Sequence, residues 1–267
     1  MPAITRLPLR DCTSGLLPLS QGMTSERHRH EIEHGKFLAS DPLKHWSHAS
    51  WAGQERVARR AKLFIEKTGI RPGLEVLELG FGLGEFTGRL ALSGARVTAV
   101  DISPDLKAIA EKAVGHRPNV KLVLGDAETL SDFRDASFDA VVGNSILHHL
   151  DAMKTLKSVF RVLKPGGRIA FSEPNMLNPQ IALQKNIPWL KKALGDSPDE
   201  TAFFSWQMRG LLRASGFAEV HVEPFDFLHP ALPKGFARRF APLAEKLEKI
   251  PGLRQIAGSL LISAQKP

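Results

Sequence analysis

The sequence predicts an α/β fold in which helices cover both faces of a doubly wound, mostly parallel sheet. Short apolar runs of strand length alternate along the chain with segments of helical periodicity. The first run ends at Leu79 and opens into a glycine-rich loop, while two later runs end at Asp101 and Asp126. Strands separated by helices of this size pair in parallel through right-handed crossovers.

The individual elements are predicted from periodicity and from capping residues. Thr68-Gly69 ends the first helix, Ser103-Pro104 caps and opens another, and the amphipathic segment 151–163 forms a further one. The predicted helices are 54–67, 85–92, 103–115, 151–163 and 205–215. The predicted strands are 74–79, 96–101, 120–126, 138–144, 163–173 and 219–227.

Alternate glycines mark the turn after the first strand. Gly80, Gly82 and Gly84 permit positive φ and let the backbone come close to a bound molecule. The helix that starts at Glu85 presents unpaired N–H groups to the same place. The G-x-G-x-G spacing differs from the G-x-G-x-x-G of dinucleotide sites, which weakens a pyrophosphate interpretation. The loop favours a nucleotide-like ligand.

The ordered motifs resemble those of the class I S-adenosylmethionine-dependent methyltransferase family, over roughly residues 54–222 and again at the C-terminus. The motifs are Glu78-Leu-Gly80-Phe-Gly82-Leu-Gly84, the strand-end Asp101, Gly125-Asp126-Ala127 and Leu163-Lys-Pro-Gly-Gly167. The resemblance implies a Rossmann-like, seven-stranded sheet whose final strand, at 259–263, is reversed. It also implies S-adenosyl-L-methionine as the cofactor and methyl transfer as the reaction.

The resemblance assigns cofactor-binding roles at the matching positions. Asp101 suits a pair of hydrogen bonds from the ribose diol, and Asp126 with the N–H of Ala127 suits the adenine edge. Glu78 and the glycine loop suit the amino-acid end, and Asn144 suits the ammonium through its side-chain or backbone oxygen. The full set of candidates is Glu78, Gly80, Phe81, Gly82, Gly84, Asp101, Ile102, Asp126, Ala127, Asn144 and Ser145.

Catalysis requires little beyond positioning, because the methyl group is displaced in line from an already activated sulfonium. We therefore expect no metal. A base is needed only if the acceptor must lose a proton. The candidates are His148, His149 and Glu173, which fall just past strand ends that face one crevice. A lining or structural role for the two histidines stays open.

The region 24–51 holds five histidines, whose His-x-His and His-x-x-x-His spacings raise a metal hypothesis. They are His28, His30, His34, His45 and His48. The absence of a nearby cysteine or convincing carboxylate set argues for surface histidines on a polar helix instead. Trp46 and Trp51 suggest a cap over the substrate side or, equally, packing on the core.

The residues after the fourth strand narrow the choice of acceptor. Nucleic-acid amino-methyltransferases of this fold carry Asn/Asp-Pro-Pro-Tyr/Phe there, whereas this chain reads Asn144-Ser-Ile-Leu and contains no tyrosine. This argues against a nucleic-acid substrate. We expect a small-molecule or amphipathic, even lipid-linked, acceptor, methylated at oxygen, with carbon or nitrogen as alternatives.

The basic character of the chain is concentrated near its C-terminus. The formal charge is +8, and the residues from Pro230 onward hold seven basic side chains against two acidic ones. In this region Phe236, Phe240, Leu243, Leu247 and Ile250 are placed at helical spacing. The segment is interpreted as a lid helix packed on the core with a solvated charged face, or as a contact with an anionic membrane surface or phosphorylated substrate.

The predicted organisation is a flexible leader and N-terminal cap over 1–51, then a methyltransferase domain over 52–267. Insertions are predicted at 174–201 and 228–256. Cys12 is the only cysteine, which fits a reducing cytosol, and no apolar run approaches the length of a membrane span. We expect a cytoplasmic protein for which peripheral membrane contact stays open; the sequence does not predict an oligomeric state.

Two other functions remain as alternatives. The first is a non-catalytic regulatory protein that binds S-adenosylmethionine. The second is a nicotinamide-dependent oxidoreductase, against which the glycine spacing and the missing Tyr and Lys pair of the short-chain type both argue.

Overall fold

The computed structural model describes residues 26–42, 50–197 and 199–267, which form a sheet with helices on both faces. The strands are β1 (Glu75–Leu79), β2 (Arg96–Asp101), β3 (Val120–Leu124), β4 (Phe138–Asn144), β5 (Leu163–Pro174), β6 (Ala218–Phe225) and β7 (Ser259–Gln265). The helices are α1 (Glu26–Ser40), α2 (Trp51–Thr68), α3 (Glu85–Ala91), α4 (Pro104–Val114), α5 (Ala152–Val162), α6 (Pro179–Asn186), α7 (Pro188–Ala193), α8 (Ser205–Ala214), α9 (Lys234–Leu247) and α10 (Pro251–Arg254).

The sheet has seven strands in the order β3-β2-β1-β4-β5-β7-β6. The first five pair in parallel, and β7 runs antiparallel to both β5 and β6. The predicted doubly wound, mostly parallel fold with a reversed final strand is confirmed. The strand order reverses between β1 and β4, which places a crevice at their carboxyl ends.

Apolar residues fill both faces of the sheet, as expected for strands covered by helices on each side. Along β4, Val141 belongs to one core cluster, whereas Val142 belongs to the cluster on the opposite face. In this second cluster, Phe64 of α2 meets Phe86 of α3 edge to face, with ring centroids 5.1 Å apart. These two cores hold the carboxyl edge of the sheet in place.

Most of the element boundaries match the predicted ones, and the capping residues explain why. Ser103 accepts a hydrogen bond from Leu106 N at the start of α4, and Asp151 accepts one from Lys154 N at the start of α5. β6 ends before the predicted Phe227, because Asp226 adopts a positive φ of 75° and turns the chain.

Both predicted insertions contain helices. The segment 174–201 carries α6 and α7, and the segment 228–256 carries α9 and α10. The division of the chain into cap, domain and insertions stays a prediction.

The second insertion is interpreted from the sequence as a helix that packs its large apolar residues on the core, and the exposure of several of them contradicts this. α9 buries Ala237 and Ala244, and Phe240 is only partly buried, whereas Phe236 and Leu243 are 58% and 49% exposed. The helix turns its small residues toward α2 because alanines allow two helices to approach closely. Its large apolar side chains are left near the surface.

Only part of the predicted N-terminal region lies among the described residues. The leader, Cys12, His45, Trp46 and His48 lie outside the described residues. Trp51 starts α2 and packs against the small cluster of Ala52, Leu228 and Ala237, as its core-packing alternative predicts. Among the described helices, none is both long enough and apolar enough to cross a membrane.

Candidate active site

The glycine loop between β1 and α3 depends on residues without a side chain. Gly80, Gly82 and Gly84 all have positive φ, at 71°, 51° and 83°. A Cβ at Gly80 would lie 2.7 Å from Ile146 Cδ1, and one at Gly84 would lie 3.1 Å from Val114 Cγ2. The first glycine brings the loop against the end of β4, and the last lets α3 pack on α4.

Asp101 ties the glycine loop to the end of β2. Its Oδ2 accepts a hydrogen bond from Gly82 N at 3.0 Å, and its Oδ1 accepts one from Ser103 N at 3.0 Å. Burial raises the pKa of Asp101, although these backbone N–H groups oppose the shift. Each oxygen retains acceptor capacity, so the carboxylate is held in a fixed orientation with room for a diol.

Asp126 is oriented in a similar way after β3. Its Oδ1 accepts a hydrogen bond from Glu128 N and its Oδ2 accepts one from the Thr129 hydroxyl, both at 2.8 Å. His28 of α1 places Nε2 at 3.6 Å from Asp126 Oδ1. The second strand-end acid is thereby fixed beneath the N-terminal helix.

These groups line one cavity at the carboxyl edge of the sheet. The predicted residues on its wall are Gly80, Gly82, Asp101, Ile102, Asp126, Ala127, Asn144, Ser145 and His149. α1 covers it with residues that include Arg27, His28, Glu31 and His34. Five predicted residues are not on the wall: Glu78, Phe81, Gly84, His148 and Glu173.

Two of the residues behind the wall have distinct environments. Phe81 is 3% exposed and packs with Ala99 and Ala110, so it supports the loop from below. Glu78 is 1% exposed, and neither of its carboxylate oxygens has a hydrogen-bond partner of normal geometry. Burial raises the pKa of Glu78 to about 8, although the nearby Thr87 hydroxyl opposes the shift. A buried carboxyl group that lacks hydrogen-bond partners and lies beside the glycine loop fits a cationic group that a ligand would bring.

The N-terminal helix closes the cavity through one close approach. Gly35 of α1 lies so near the start of α4 that an added Cβ would be 2.6 Å from Ser103 Oγ. Only a glycine permits this distance. α1 therefore docks directly over the end of β2, where Asp101 lies.

His148 and Glu173 form a buried pair between the ends of β4 and β5. His148 Nδ1 lies 2.7 Å from Glu173 Oε2, and Glu173 Oε1 accepts hydrogen bonds from Ile146 N and Leu147 N. Burial lowers the pKa of His148, and the adjacent His149 lowers it further. In its neutral form the ring would donate an Nδ1–H to Glu173, which would leave Nε2 as an acceptor.

His149 has the opposite tendency, because carboxylates surround it. Its Nδ1 lies 2.9 Å from Glu31 Oε2 and 3.7 Å from Glu200 Oε1. Burial lowers the pKa of His149, but Glu31, Glu200 and Glu173 together outweigh burial and raise it. The rings of His148 and His149 are 4.2 Å apart between centroids. The surroundings thus shift the pKa values of the two neighbouring imidazoles in opposite directions.

His148, His149 and Glu200 bring three potential metal-ligand atoms together. Glu200 Oε2 already accepts a hydrogen bond from the Lys185 ammonium at 2.6 Å, and its Oε1 accepts one from Ser197 N at 2.7 Å. The chain's own lysine supplies the cation that balances this carboxylate. The described histidines of α1 do not converge either, since His28, His30 and His34 face different carboxylates.

Arg60 occupies the side-chain oxygen predicted for the ligand ammonium. Its Nη1 donates to Asn144 Oδ1 at 2.9 Å, and its Nη2 donates to Asp226 Oδ2 at 2.9 Å. Burial lowers the pKa of Arg60 to about 10, so the guanidinium stays charged at neutral pH. One acceptor position of the Asn144 side-chain oxygen is therefore already used by Arg60. The role of Asn144 toward a ligand ammonium, through its side-chain or backbone oxygen, stays a prediction.

The sequence interpretation missed Glu31, Arg60 and Glu200. Arg60 carried a usable signal, since it falls on the buried stripe of α2 with Val57 and Phe64. A charged residue on a buried face indicates a specific partner. Glu31 and Glu200 carried no comparable signal, because their positions depend on how α1 and the first insertion dock.

Comparison with known proteins places the site in a family context. Residues 77–171 match the family model described as a methyltransferase domain. The chain is 33% identical over 176 residues to the demethylmenaquinone methyltransferase of Mycobacterium sp. (strain JLS), covering 62% of this chain and 72% of that protein. This chain belongs to the class I S-adenosylmethionine-dependent methyltransferase family. It is an enzyme of that family, which removes the nicotinamide-dependent alternative.

Other relatives of the methyltransferase extend the comparison. It is 40% identical to the demethylmenaquinone methyltransferase of Corynebacterium efficiens over 45% of this chain, but spans only half of that relative's length. A Thermotoga maritima methyltransferase described as a possible histamine N-methyltransferase matches with a TM-score of 0.63 at 18% identity, over 89% of this chain and 100% of that one. The [4+2]-cyclase SpnF matches with a TM-score of 0.61 at 20% identity, over 89% and 96%. These two structures show the fold alone.

Proposed function

We propose that this methyltransferase transfers a methyl group to a hydroxyl oxygen of a small amphipathic ring compound, such as a quinol. Several relatives are named demethylmenaquinone methyltransferases, and a quinol, the reduced form of a quinone that carries ring hydroxyls, would suit the apolar part of the cavity wall. That part includes Leu38, Leu106, Ile146 and Leu150, and His149 lies on the wall of the same cavity. A wall that combines apolar side chains with a few polar groups fits an amphipathic ring.

The donor is proposed to bind along the strand ends. Bound S-adenosyl-L-methionine supplies a methyl group on an activated sulfonium. Asp101 would accept hydrogen bonds from the ribose diol, and Asp126 with Ala127 N–H would meet the adenine edge. The glycine loop and Glu78 would hold the amino-acid end. The orphaned carboxyl of Glu78 and the close glycine backbone support this orientation.

His149 is proposed as the general base. The observation that carries this role is the 2.9 Å contact between His149 Nδ1 and Glu31 Oε2, at the wall of the cavity that the strand-end acids share. Glu31 would hold the proton on Nδ1, which leaves Nε2 to take the proton of the acceptor hydroxyl. His148, fixed by Glu173, would orient the ring of His149 from behind.

The proposed acceptor class is tested by supplying quinols, phenols and apolar quinones to the full chain with S-adenosylmethionine. We expect methylated product from ring compounds that bear a free hydroxyl, with the new methyl on oxygen by nuclear magnetic resonance. Methylation of ring carbon or of an amine, with hydroxyl compounds inert, would overturn the oxygen assignment.

Replacing Asp101 by alanine is expected to weaken binding of S-adenosylhomocysteine by about 1.5 to 3 kcal/mol, because hydrogen bonds to a charged group are lost. Isothermal calorimetry measures the change. Asp105→Ala changes an exposed carboxylate on α4 and should leave the affinity as it is. An unchanged affinity for Asp101→Ala would contradict its assignment to the diol.

Activity is expected to rise with pH through the pKa of His149 and to level off above it, because only the neutral ring accepts a proton. Glu31 raises that pKa against the effect of burial by stabilising the charged ring. Glu31→Gln should therefore move the midpoint of the kcat/KM profile to lower pH, and the exposed Glu33→Gln should not. A profile that is flat, or whose midpoint stays in place in Glu31→Gln, would remove His149 from this role.

A further inference from the structure

An exposed stripe of alternating apolar and basic residues runs along α9 and the turn after it. The stripe residues are Phe236, Arg239, Leu243, Lys246 and Ile250, which are separated by steps of three, four, three and four. The first four lie within α9, where residues at these spacings share one side of the helix, and Ile250 follows in the turn after it. Apolar and cationic side chains are therefore interleaved along a single line.

The stripe faces away from the protein core. Phe236, Leu243 and Ile250 are 58%, 49% and 50% exposed, and Arg239 and Lys246 are exposed as well. The helix packs through Ala237 and Ala244, whose positions lie roughly a third of a turn from the centre of the stripe. The apolar side chains of the stripe are thus not needed to hold the helix on the domain.

The cations near the stripe are not neutralised by the chain. Among the described residues, no ion pair involves Lys234, Arg238, Arg239, Lys246 or Lys249. Of the two acids in this segment, Glu248 is bound by Arg59 at 2.6 Å, and Glu245 lies on the side of the helix opposite Phe236. The exposed side of α9 therefore carries a net positive charge.

We propose that this stripe docks the enzyme on an anionic lipid bilayer, with α9 lying in the plane of the interface. Half-exposed apolar side chains can enter the acyl boundary while Arg and Lys between them reach the headgroup charges. The charge pattern argues against binding of a second copy of this chain to the stripe. A two-fold contact between two stripes would place cations of both copies against each other.

The position of α9 would place the membrane contact near the cofactor cavity. The helix packs beside Trp51 and Ala52, at the start of α2, and comes after the loop that leaves the carboxyl end of β6. This is the sheet edge that carries the cofactor cavity. Docking through α9 would hold that edge near the bilayer. The docking itself does not depend on the acceptor class proposed above.

Flotation of the full chain with vesicles tests the proposal. We expect binding to vesicles of phosphatidylcholine mixed with phosphatidylglycerol, weaker binding to phosphatidylcholine alone, and loss of binding as salt rises. Arg239→Glu/Lys246→Glu should reduce binding to the anionic vesicles about tenfold or more. Phe236→Ser/Leu243→Ser should reduce it about as strongly while keeping all the charges.

Matched controls separate the stripe from overall charge and from folding. Lys112→Glu/Lys121→Glu makes the same charge change on α4 and β3, at the opposite edge of the sheet, and should bind vesicles nearly as well as the wild type. Circular dichroism and S-adenosylhomocysteine affinity should be unchanged in the stripe variants, since their side chains are exposed.

Three outcomes would overturn the proposal. The first is equal binding to both kinds of vesicle, or to neither. The second is equal loss of binding in the stripe and control variants, which would indicate net charge alone. The third is a self-associating wild type that both stripe variants convert to monomer in sedimentation without lipid, which would make the stripe an interface between copies of this chain.

Discussion

Asparagine in place of His149 is expected to lower kcat by about 10² to 10⁴-fold, the usual contribution of a positioned general base. The imidazole lies at the cavity wall with Glu31 Oε2 2.9 Å from its Nδ1, so its loss removes the group proposed to take the acceptor proton. Asparagine keeps a polar side chain of similar reach but accepts no proton at neutral pH. Steady-state kinetics with a hydroxyl acceptor measure the effect.

Measuring cofactor affinity in the same variant separates catalysis from cofactor binding. S-adenosylhomocysteine affinity should change little in His149→Asn, because the strand-end acids are unaffected. His116→Asn alters an exposed histidine far from the cavity and serves as the matched control. A His149 variant that keeps kcat within about threefold of the wild type would show that positioning alone supplies the acceleration.

The Asp226→Asn substitution is expected to lower the free energy of unfolding by about 3 to 5 kcal/mol, as for the loss of one partner of a buried ion pair. Asp226 Oδ2 accepts hydrogen bonds from Arg56 Nε at 2.7 Å and Arg60 Nη2 at 2.9 Å, and Arg60 is 4% exposed. Asparagine tolerates the positive φ of this position, so the change isolates the charge. Urea unfolding measures the difference.

The pH dependence of stability gives an independent check of this network. Burial raises the pKa of Asp226, but Arg56 and Arg60 outweigh burial and lower it to about 2. A lowered folded-state pKa contributes stability that is present above the unfolded value of about 3.9 and is lost as pH falls toward 2. The wild type should therefore lose its advantage over Asp226→Asn across that window.

An exposed ion pair provides the control for the buried one. Asp135 is 75% exposed and pairs with Arg161 at 2.7 Å, so Asp135→Asn should cost at most about 1 kcal/mol. Equal losses in the two variants would mean that burial of the Arg60 network adds nothing to stability.

The sequence determined the sheet and the residues at its carboxyl edge. Periodicity predicts the strands, and parallel pairing requires their ends to meet, so the sequence alone predicts that Gly80, Asp101 and Asp126 lie together. The structure brings these three to one cavity wall. Local rules were sufficient here because the strand ends are fixed by the backbone ladder and the loop by its glycines.

Only the tertiary structure decided what covers that edge. Glu31 meets His149 because Gly35 lets α1 approach the start of α4, and Glu200 joins them through the first insertion. Neither contact can be read from a local pattern. The orientation of α9 is a similar case, since its amphipathic spacing left open which side would be buried. Close packing on α2 selected the side with the alanines, because only small residues allow that approach, and left Phe236 and its neighbours exposed.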